Sequence, residues 1–379
     1  MSSSIGRSVT CAMAFAFGTS ATSDLAQAQD PIAIWGCAAG SCAGQGDPHP
    51  ELVDVRAIDA GAFQSAALLG DGTIRVWGAG SESSPNGVFP HFGQSIPPSG
   101  LNQVTQISCG GAHCMVLKTD GTVLAWGAGT QNTGTLPEFG QSQVPAGLGT
   151  CVKIAAGHAH CLALRTNGSV AAWGYNGFGQ CEIPASLGLA TAIEANGYTS
   201  FAITPTGDVR AWGLPLGDDP VPPTDLGPCQ AVAPGIVHAV ALRMDGTVRA
   251  WGANDHGQVS TAPSGLFQKI ASGGYHSLGL RPDGSVIAWG RDDVGQRAVP
   301  AGLGRCIAIA AGRKHSMALR ATPCIGDLNG DGVHSGFDIA ILLAAIGSSD
   351  PVSDLDHDGV VTGLDLTFLL AAWGSCPPL

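Results

Sequence analysis

The tripeptide apolar-Trp-Gly recurs seven times, at Trp35, Trp77, Trp126, Trp173, Trp212, Trp251 and Trp289, with gaps of 42, 49, 47, 39, 39 and 38 residues. A period near 40 is the mark of a chain built from stacked copies of one small unit. It constrains function as well as fold. A residue that returns in every unit serves the scaffold, so chemistry must be sought where the units differ.

The unit is clearest over Cys151–Leu187. "CVKIAAG" is a short apolar run, and "HCLALRT" alternates in the manner of a half-buried strand. Asn167-Gly168 then suits a two-residue type I′ turn, and "SVAAWG" is the returning strand. The same turn slot holds Asp71-Gly72, Asp120-Gly121, Thr206-Gly207, Asp245-Gly246 and Asp283-Gly284. Hairpins at this spacing, with no helical period between them, predict an all-β repeat.

Such a unit cannot bury both faces alone, and radial stacking leaves only short, protected edges. The chain ends favour a ring over a linear solenoid. The first Trp-Gly lies on a lone strand, Pro31–Gly36, whereas the last unit, Cys306–Leu319, lacks a Trp-Gly strand. Each end supplies what the other is missing, which removes the free edges. The expectation is a seven-bladed β-propeller over residues 31–320, closed by its N-terminal strand.

The runs Gly273–Leu280 with Asp283–Gly290, and Gly235–Leu242 with Asp245–Gly252, share the pattern Gly-x-x-His-x-x-x-Leu, Asp-Gly, Ala-Trp-Gly, followed by Gly-Gln. This resembles the regulator of chromosome condensation repeat family. The return Gln296–Gly304 looks most like the secreted propeller-type β-lactamase inhibitors of that family. The resemblance implies the fold; it leaves the role open, because one fold hosts many binding functions.

His113, His160, His238, His276 and His315 share one repeat position, which Gln64 and Thr199 fill in the other units. A column of this kind suits a repeated buried hydrogen bond tying neighbouring strands better than catalysis, which needs one convergent group. No Ser-His-Asp order, zinc spacing or phosphate loop stands out. The expected protein is therefore not an enzyme.

Residues 327–347 and 354–374 are copies offset by 27. Each begins with a twelve-residue loop rich in oxygen ligands. Asp327, Asn329, Asp331, Val333, Ser335 and Asp338 form the first candidate Ca²⁺ set, with Gly332 at the sharp turn; Asp354, Asp356, Asp358, Val360, Thr362 and Asp365 form the second. Asp replaces the Glu that ends an EF-hand loop, and one apolar helix follows each loop. The duplicated loop-helix resembles a dockerin domain, which implies two bound Ca²⁺ and a cohesin-like protein partner for residues 324–376. Phe337 and Leu364, at the helix starts, stand where dockerins often carry hydroxyl residues. After Arg320 there are eight Asp and no Glu, Lys or Arg, so this segment supplies −8 of a formal −12. Carboxylates at that density repel one another unless a cation sits among them.

The N-terminus reads as a signal peptide, residues 1–28, with Arg7, an apolar run Val9–Gly18 and a cleavage site after Ala28. The run is too short to span a bilayer, and the acidic balance disfavours nucleic acid. The chain is thus expected outside the cell or at its surface, where its 12 cysteines favour disulfides. Cys324 with Cys376 is the expected bridge, because duplication brings the module's ends together. Cys37 and Cys42 can close a small loop. Cys151, Cys229 and Cys306 share a repeat position, as core thiols or as partners of other cysteines.

Long connections after Trp77 and Trp126 carry Phe89, Phe92 and Phe139, and the equivalent connection after Trp173 carries Tyr175 and Phe178. Aromatic rings outside a core mark a protein-binding face. A carbohydrate-active role in a polysaccharide-degrading assembly and an enzyme-inhibitor role are the two other classes the resemblances suggest.

Overall fold

The computed structural model describes residues 30–37, 42–81, 90–214, 222–321, 326–329, 333–350, 352–356 and 358–375. The signal-peptide segment, Phe89, Asp331, Gly332, Cys324 and Cys376 lie outside them.

The chain is mostly β, with two short helices and seven three-stranded antiparallel sheets among the described residues. The first sheet is Val55–Ala60, Gln64–Leu69 and Ile74–Gly78; the second is Val104–Cys109, His113–Lys118 and Val123–Gly127. The third is Cys151–Ala156, His160–Arg165 and Val170–Gly174; the fourth is Ala192–Asn196, Thr199–Ile203 and Val209–Gly213. Cys229–Pro234, His238–Arg243 and Val248–Gly252 form the fifth, and Lys269–Ser272, His276–Leu280 and Val286–Gly290 the sixth. The seventh joins the far ends of the chain: Cys306–Ala311 and His315–Arg320 take Ile32–Gly36 as their third strand. Trp35 pairs with Ser316 and Gly36 with His315, the register in which Trp77 pairs with Ser65 and Gly78 with Gln64.

The sheets pack face to face. Ile203 and Val209 of the fourth meet Val232 and Trp251 of the fifth; Leu278 and Leu280 of the sixth meet Trp35 and Ala318 of the seventh. Ile32, Met317 and Leu319 of the seventh pack on Ala67 and Trp77 of the first. This packing corrects the half-buried reading of "HCLALRT": the middle strand His160–Arg165 is buried on both faces up to its last residue. Neighbouring sheets cover it from both sides, so alternation there reports side-chain size rather than exposure.

The hairpin turns also differ from the type I′ expectation. Gly168 N donates to Arg165 O and Arg165 N to Ser169 O, and only Gly168 has a positive φ, of 83°. The loop is therefore three residues long, a type I turn ending in a left-handed glycine bulge. Asn167 serves it differently: its Oδ1 accepts from Ser169 N, as Asp71, Asp120, Asp245 and Asp283 do two residues before Thr73, Thr122, Thr247 and Ser285. That bond is why the slot favours Asp or Asn without needing positive φ there.

After residue 333 come helices Gly336–Ala345 and Gly363–Ala371, each opened by a capping box, Ser335 with Asp338 and Thr362 with Asp365. Leu342, Val361 and Leu369 are buried between them. Val333–His334 pairs antiparallel with Gly374–Ser375, so the two ends of this segment meet.

Candidate partner-binding face and calcium loops

The histidine column is structural, and its bonds run between sheets rather than within one. His160 Nε2 lies 3.0 Å from Ser200 Oγ, His238 Nε2 2.7 Å from Ser277 Oγ, His276 Nε2 2.9 Å from Ser316 Oγ and His315 Nε2 2.9 Å from Ser65 Oγ. His113 Nε2 meets Cys161 Sγ at 3.2 Å, and Gln64 Nε2 donates to Gly110 O and His113 O. Burial pushes the five imidazoles down, His276 to about 4 and the others to about 3. They are neutral at pH 7 and poor proton shuttles.

A glutamine column supports them. The main-chain carbonyls of Gln296, Gln45, Gln94, Gln141, Gln180 and Gln258 accept from the indoles of Trp35, Trp77, Trp126, Trp173, Trp212 and Trp289 in the next sheet. Ser65, Ser200 and Ser316 donate to the same carbonyls of Gln45, Gln180 and Gln296. Repeated residues thus knit the scaffold, and function must lie in those that vary.

The first strands of all seven sheets line a cavity of about 260 Å³. Asp59 faces it, and enclosure by protein raises its carboxyl to about 6 despite a bond from Cys109 N at 2.6 Å. Glu194 is paired with Lys153 at 2.5 Å, and Asn196 Nδ2 donates to Pro234 O at 2.8 Å. These three polar groups are all engaged by protein partners.

At one end of this cavity the connections gather aromatic rings. Phe139 lies 4.5 Å from Tyr175, Tyr175 5.9 Å from Phe178, and Tyr198 5.7 Å from Tyr175 and 5.2 Å from Phe178. His158, which lines the cavity, stacks edge-on to Tyr198 at 5.3 Å. Phe178 keeps 44% of its surface exposed. The structure so brings together three of the aromatic residues expected at a binding face. Phe92 is half-buried, with its amide bonded to Gln94 Oε1.

Sequence reasoning missed Tyr198, which precedes the histidine-column position. The same slot holds Phe63 and Tyr275, and Arg313 lies 5.7 Å over Phe63 and Arg291 5.3 Å over Tyr275. Where the scaffold position is nearly invariant along the chain, its neighbour varies from Ala to Tyr to Lys, and that contrast was the available signal.

In the second loop of the C-terminal segment, carboxylate oxygens of Asp354, Asp356 and Asp358 lie within 4.8 Å of one another. Asp354 also accepts from Asp358 N and Gly359 N, which curls the loop around its first residue. Desolvation and then the charges of Asp358, Asp365 and Asp354 raise the Asp356 carboxyl. Asp365 holds the loop's end to its start, accepting from Leu355 N, Asp356 N and Thr362 N. Asp338 does the same in the first loop with Leu328 N, Asn329 N and Ser335 N. Three acidic groups converging in a segment without Lys or Arg fit a hard divalent cation.

Four stretches, residues 104–132, 151–180, 231–258 and 267–296, match the regulator of chromosome condensation (RCC1) repeat. Three of them end on a buried glutamine of the column, Gln180, Gln258 or Gln296. No characterised protein matches the chain by sequence. Among solved structures it is similar to Prp20p of Saccharomyces cerevisiae, described with its binding to Gsp1p and histones, at 18% identity and TM-score 0.61, covering 77% of this chain and 92% of that one. It is also similar to yeast RCC1 (Prp20) bound to Kap60, at 17% identity and TM-score 0.61, covering 84% and 97%, and to human WBSCR16, at 17% identity and TM-score 0.58, covering 77% and 100%. The chain therefore carries RCC1-like propeller repeats. No helix among the described residues is long and apolar enough to cross a membrane.

Proposed function

We propose that the chain is a secreted, non-enzymatic protein-binding propeller of seven blades, closed by Ile32–Gly36, with a calcium-dependent docking module at residues 324–376. The observation that carries the binding role is the pooled aromatic face, Phe139, Tyr175, Phe178 and Tyr198, at the mouth of the axial cavity. Rings that are rigid, partly exposed and drawn from successive sheets provide contact area at low entropic cost. The yeast propeller of like fold has protein partners, which supports a protein ligand in kind. The closed ring is supported by Trp35, which occupies the third-strand register of the seventh sheet and bonds to Gln296.

Ca²⁺ is the cation that these oxygen ligands favour. Asp354, Asp356, Asp358, Thr362 and Asp365 would hold one ion, and Asp327, Asn329, Asp331, Ser335 and Asp338 the other, with carbonyls of Val360 and Val333. Bound there, Ca²⁺ would supply the positive charge that offsets the clustered carboxylates, and the two helices would then present their exposed faces to a cohesin-like partner.

The test is capture of partners from the native secretome, with and without a calcium chelator, by the wild type and by the Phe178→Ser/Tyr198→Ser variant. The reading expects one set of partners lost with chelator and another lost with the aromatic change. Bound proteins indifferent to both would overturn it.

A further inference from the structure

Cys109 and Cys114 face each other across the hairpin of the second sheet, with Sγ atoms 2.7 Å apart and both residues buried. That is closer than non-bonded sulfur atoms rest and longer than a disulfide. The pairing is favourable for a bond. Gly110 N donates to His113 O, while Cys109 N turns away to Asp59 Oδ2, so the cysteines form a non-hydrogen-bonded pair. Such pairs bring Cα atoms to about 4.5 Å, within the span a disulfide bridges.

The repeat shows what this position does elsewhere. In the sixth sheet the equivalent residues are Ser272 and Ser277, whose hydroxyls hydrogen-bond at 3.0 Å. In the first, fourth and seventh sheets the second position is a serine bonded to a glutamine carbonyl. The second sheet replaces both partners with sulfur.

We propose that Cys109 and Cys114 are joined by a disulfide in the mature protein. The bond needs an oxidant, here a disulfide donor such as oxidised glutathione. One cysteine thiolate attacks the donor, forming a mixed disulfide and releasing one glutathione thiol. The second thiolate attacks the mixed disulfide at the cysteine sulfur, closing Sγ–Sγ and releasing the second glutathione. Two electrons and two protons pass to the donor. Burial raises the Cys109 thiol well above its ordinary range in the folded chain, so the exchange occurs while the hairpin is still open to solvent. Cys37 and Cys42, already bonded in the structure at the same separation of five residues, serve as the internal reference.

The experiment refolds the reduced full chain in a glutathione redox buffer until the Cys37–Cys42 peptide is found oxidised. The protein is then denatured with an alkylating agent and its peptides weighed. The peptide spanning Cys109 and Cys114 should be unalkylated and lighter by one H₂ than the reduced form, with Cys161 alkylated. Alkylation of both Cys109 and Cys114, or a bond from either to another cysteine, would overturn the proposal. In a Cys109→Ser variant, Cys114 should become alkylated without any new bridge.

Discussion

His315 Nε2 sits 2.9 Å from Ser65 Oγ, a buried bond between residues 250 positions apart. It repeats the bond of His276 to Ser316 one sheet earlier, so the last sheet meets the first in the way that consecutive sheets meet each other. One junction lacks the bond on both sides. Thr199 is too short to cross and donates instead to Leu214 O in its own sheet, and the residue it would reach, Ala239, has no hydroxyl. There Phe201 and Trp251 pack edge to face at 6.3 Å. Neither side of this junction leaves a lone buried polar group facing the other, an arrangement that would be costly.

Ser65→Ala tests the tie between the ends. It strands His315 Nε2 in a fully buried position while leaving Trp77 bonded to Gln45 O. The expected loss is about 1–3 kcal/mol of stability, the cost of an unsatisfied buried group. Chemical denaturation should show a lower midpoint with an unchanged slope.

Acid should destabilise the fold from a well-defined point. The histidines titrate near 6.5 when unfolded and near 3 to 4 when folded. Below 6.5 the unfolded chain binds protons that the folded chain refuses, so stability is present above that pH and is lost as pH falls toward the folded values. Each histidine contributes about 1.4 kcal/mol per pH unit within the window. Asp59, raised to about 6, works in the opposite direction and offsets one of the five. Melting temperature should be nearly flat above neutrality and fall steeply between pH 6.5 and 4; a flat profile to pH 4.5 would show that the imidazoles are not buried.

How much of this was legible follows from periodicity. Trp spacing and the turn glycines disclosed the sheets, and the unmatched end strands anticipated the pairing of Ile32–Gly36 with His315–Arg320. The histidines were recognised as structural, but their partners were not, because Ser200 or Ser316 stands some 40 residues away and nothing local marks it. The Asp-Gly dipeptide predicts a turn one residue shorter than the one observed, since the Asp side-chain bond that makes positive φ unnecessary cannot be seen in the dipeptide. Tyr198 escaped notice for a related reason: its role comes from Tyr175 and Phe178 across a sheet boundary.

Removing residues 31–36 should be far more damaging than removing an ordinary terminal strand. It withdraws Ile32 and Trp35 from two inter-sheet cores and strips His315–Arg320 of a ladder. Loss of one such aromatic residue alone costs about 3–5 kcal/mol. The truncated protein should aggregate or lose cooperative melting, and Trp35→Ala should lower the midpoint by that amount. Unchanged melting would exclude this strand as the closing element.

Calcium uptake should reach two ions per chain and be divisible by mutation. Asp354→Ala removes the residue around which the second loop curls, and Asp327→Ala removes the first residue of the other loop. Each variant should bind one ion by calorimetry, and the double variant none. If the ion binds only the folded module, wild type should gain thermal stability with added calcium in proportion to the logarithm of its concentration. No uptake, or two ions in the double variant, would refute the assignment.

The last prediction concerns what the ordered module docks with. Phe337 and Leu364 begin the two helices, with 74% and 59% of their surfaces exposed. The pattern continues at the duplicated positions: Ile341 with Phe368, Leu343 with Leu370, and Ile346 with Trp373 are all exposed. Both copies therefore present the same apolar set outward, and surface of this kind is ordinarily covered in use. Asp338 and Asp365 are buried and hold the loops through their carboxylates, whereas the side chains of Phe337 and Leu364 are exposed, so the two roles fall on different side chains. Phe337→Ser with Leu364→Ser should abolish capture of the calcium-dependent partner, or docking of the module on its own propeller, while calorimetry still records two ions. Docking that survives the double change would place the contact on another surface.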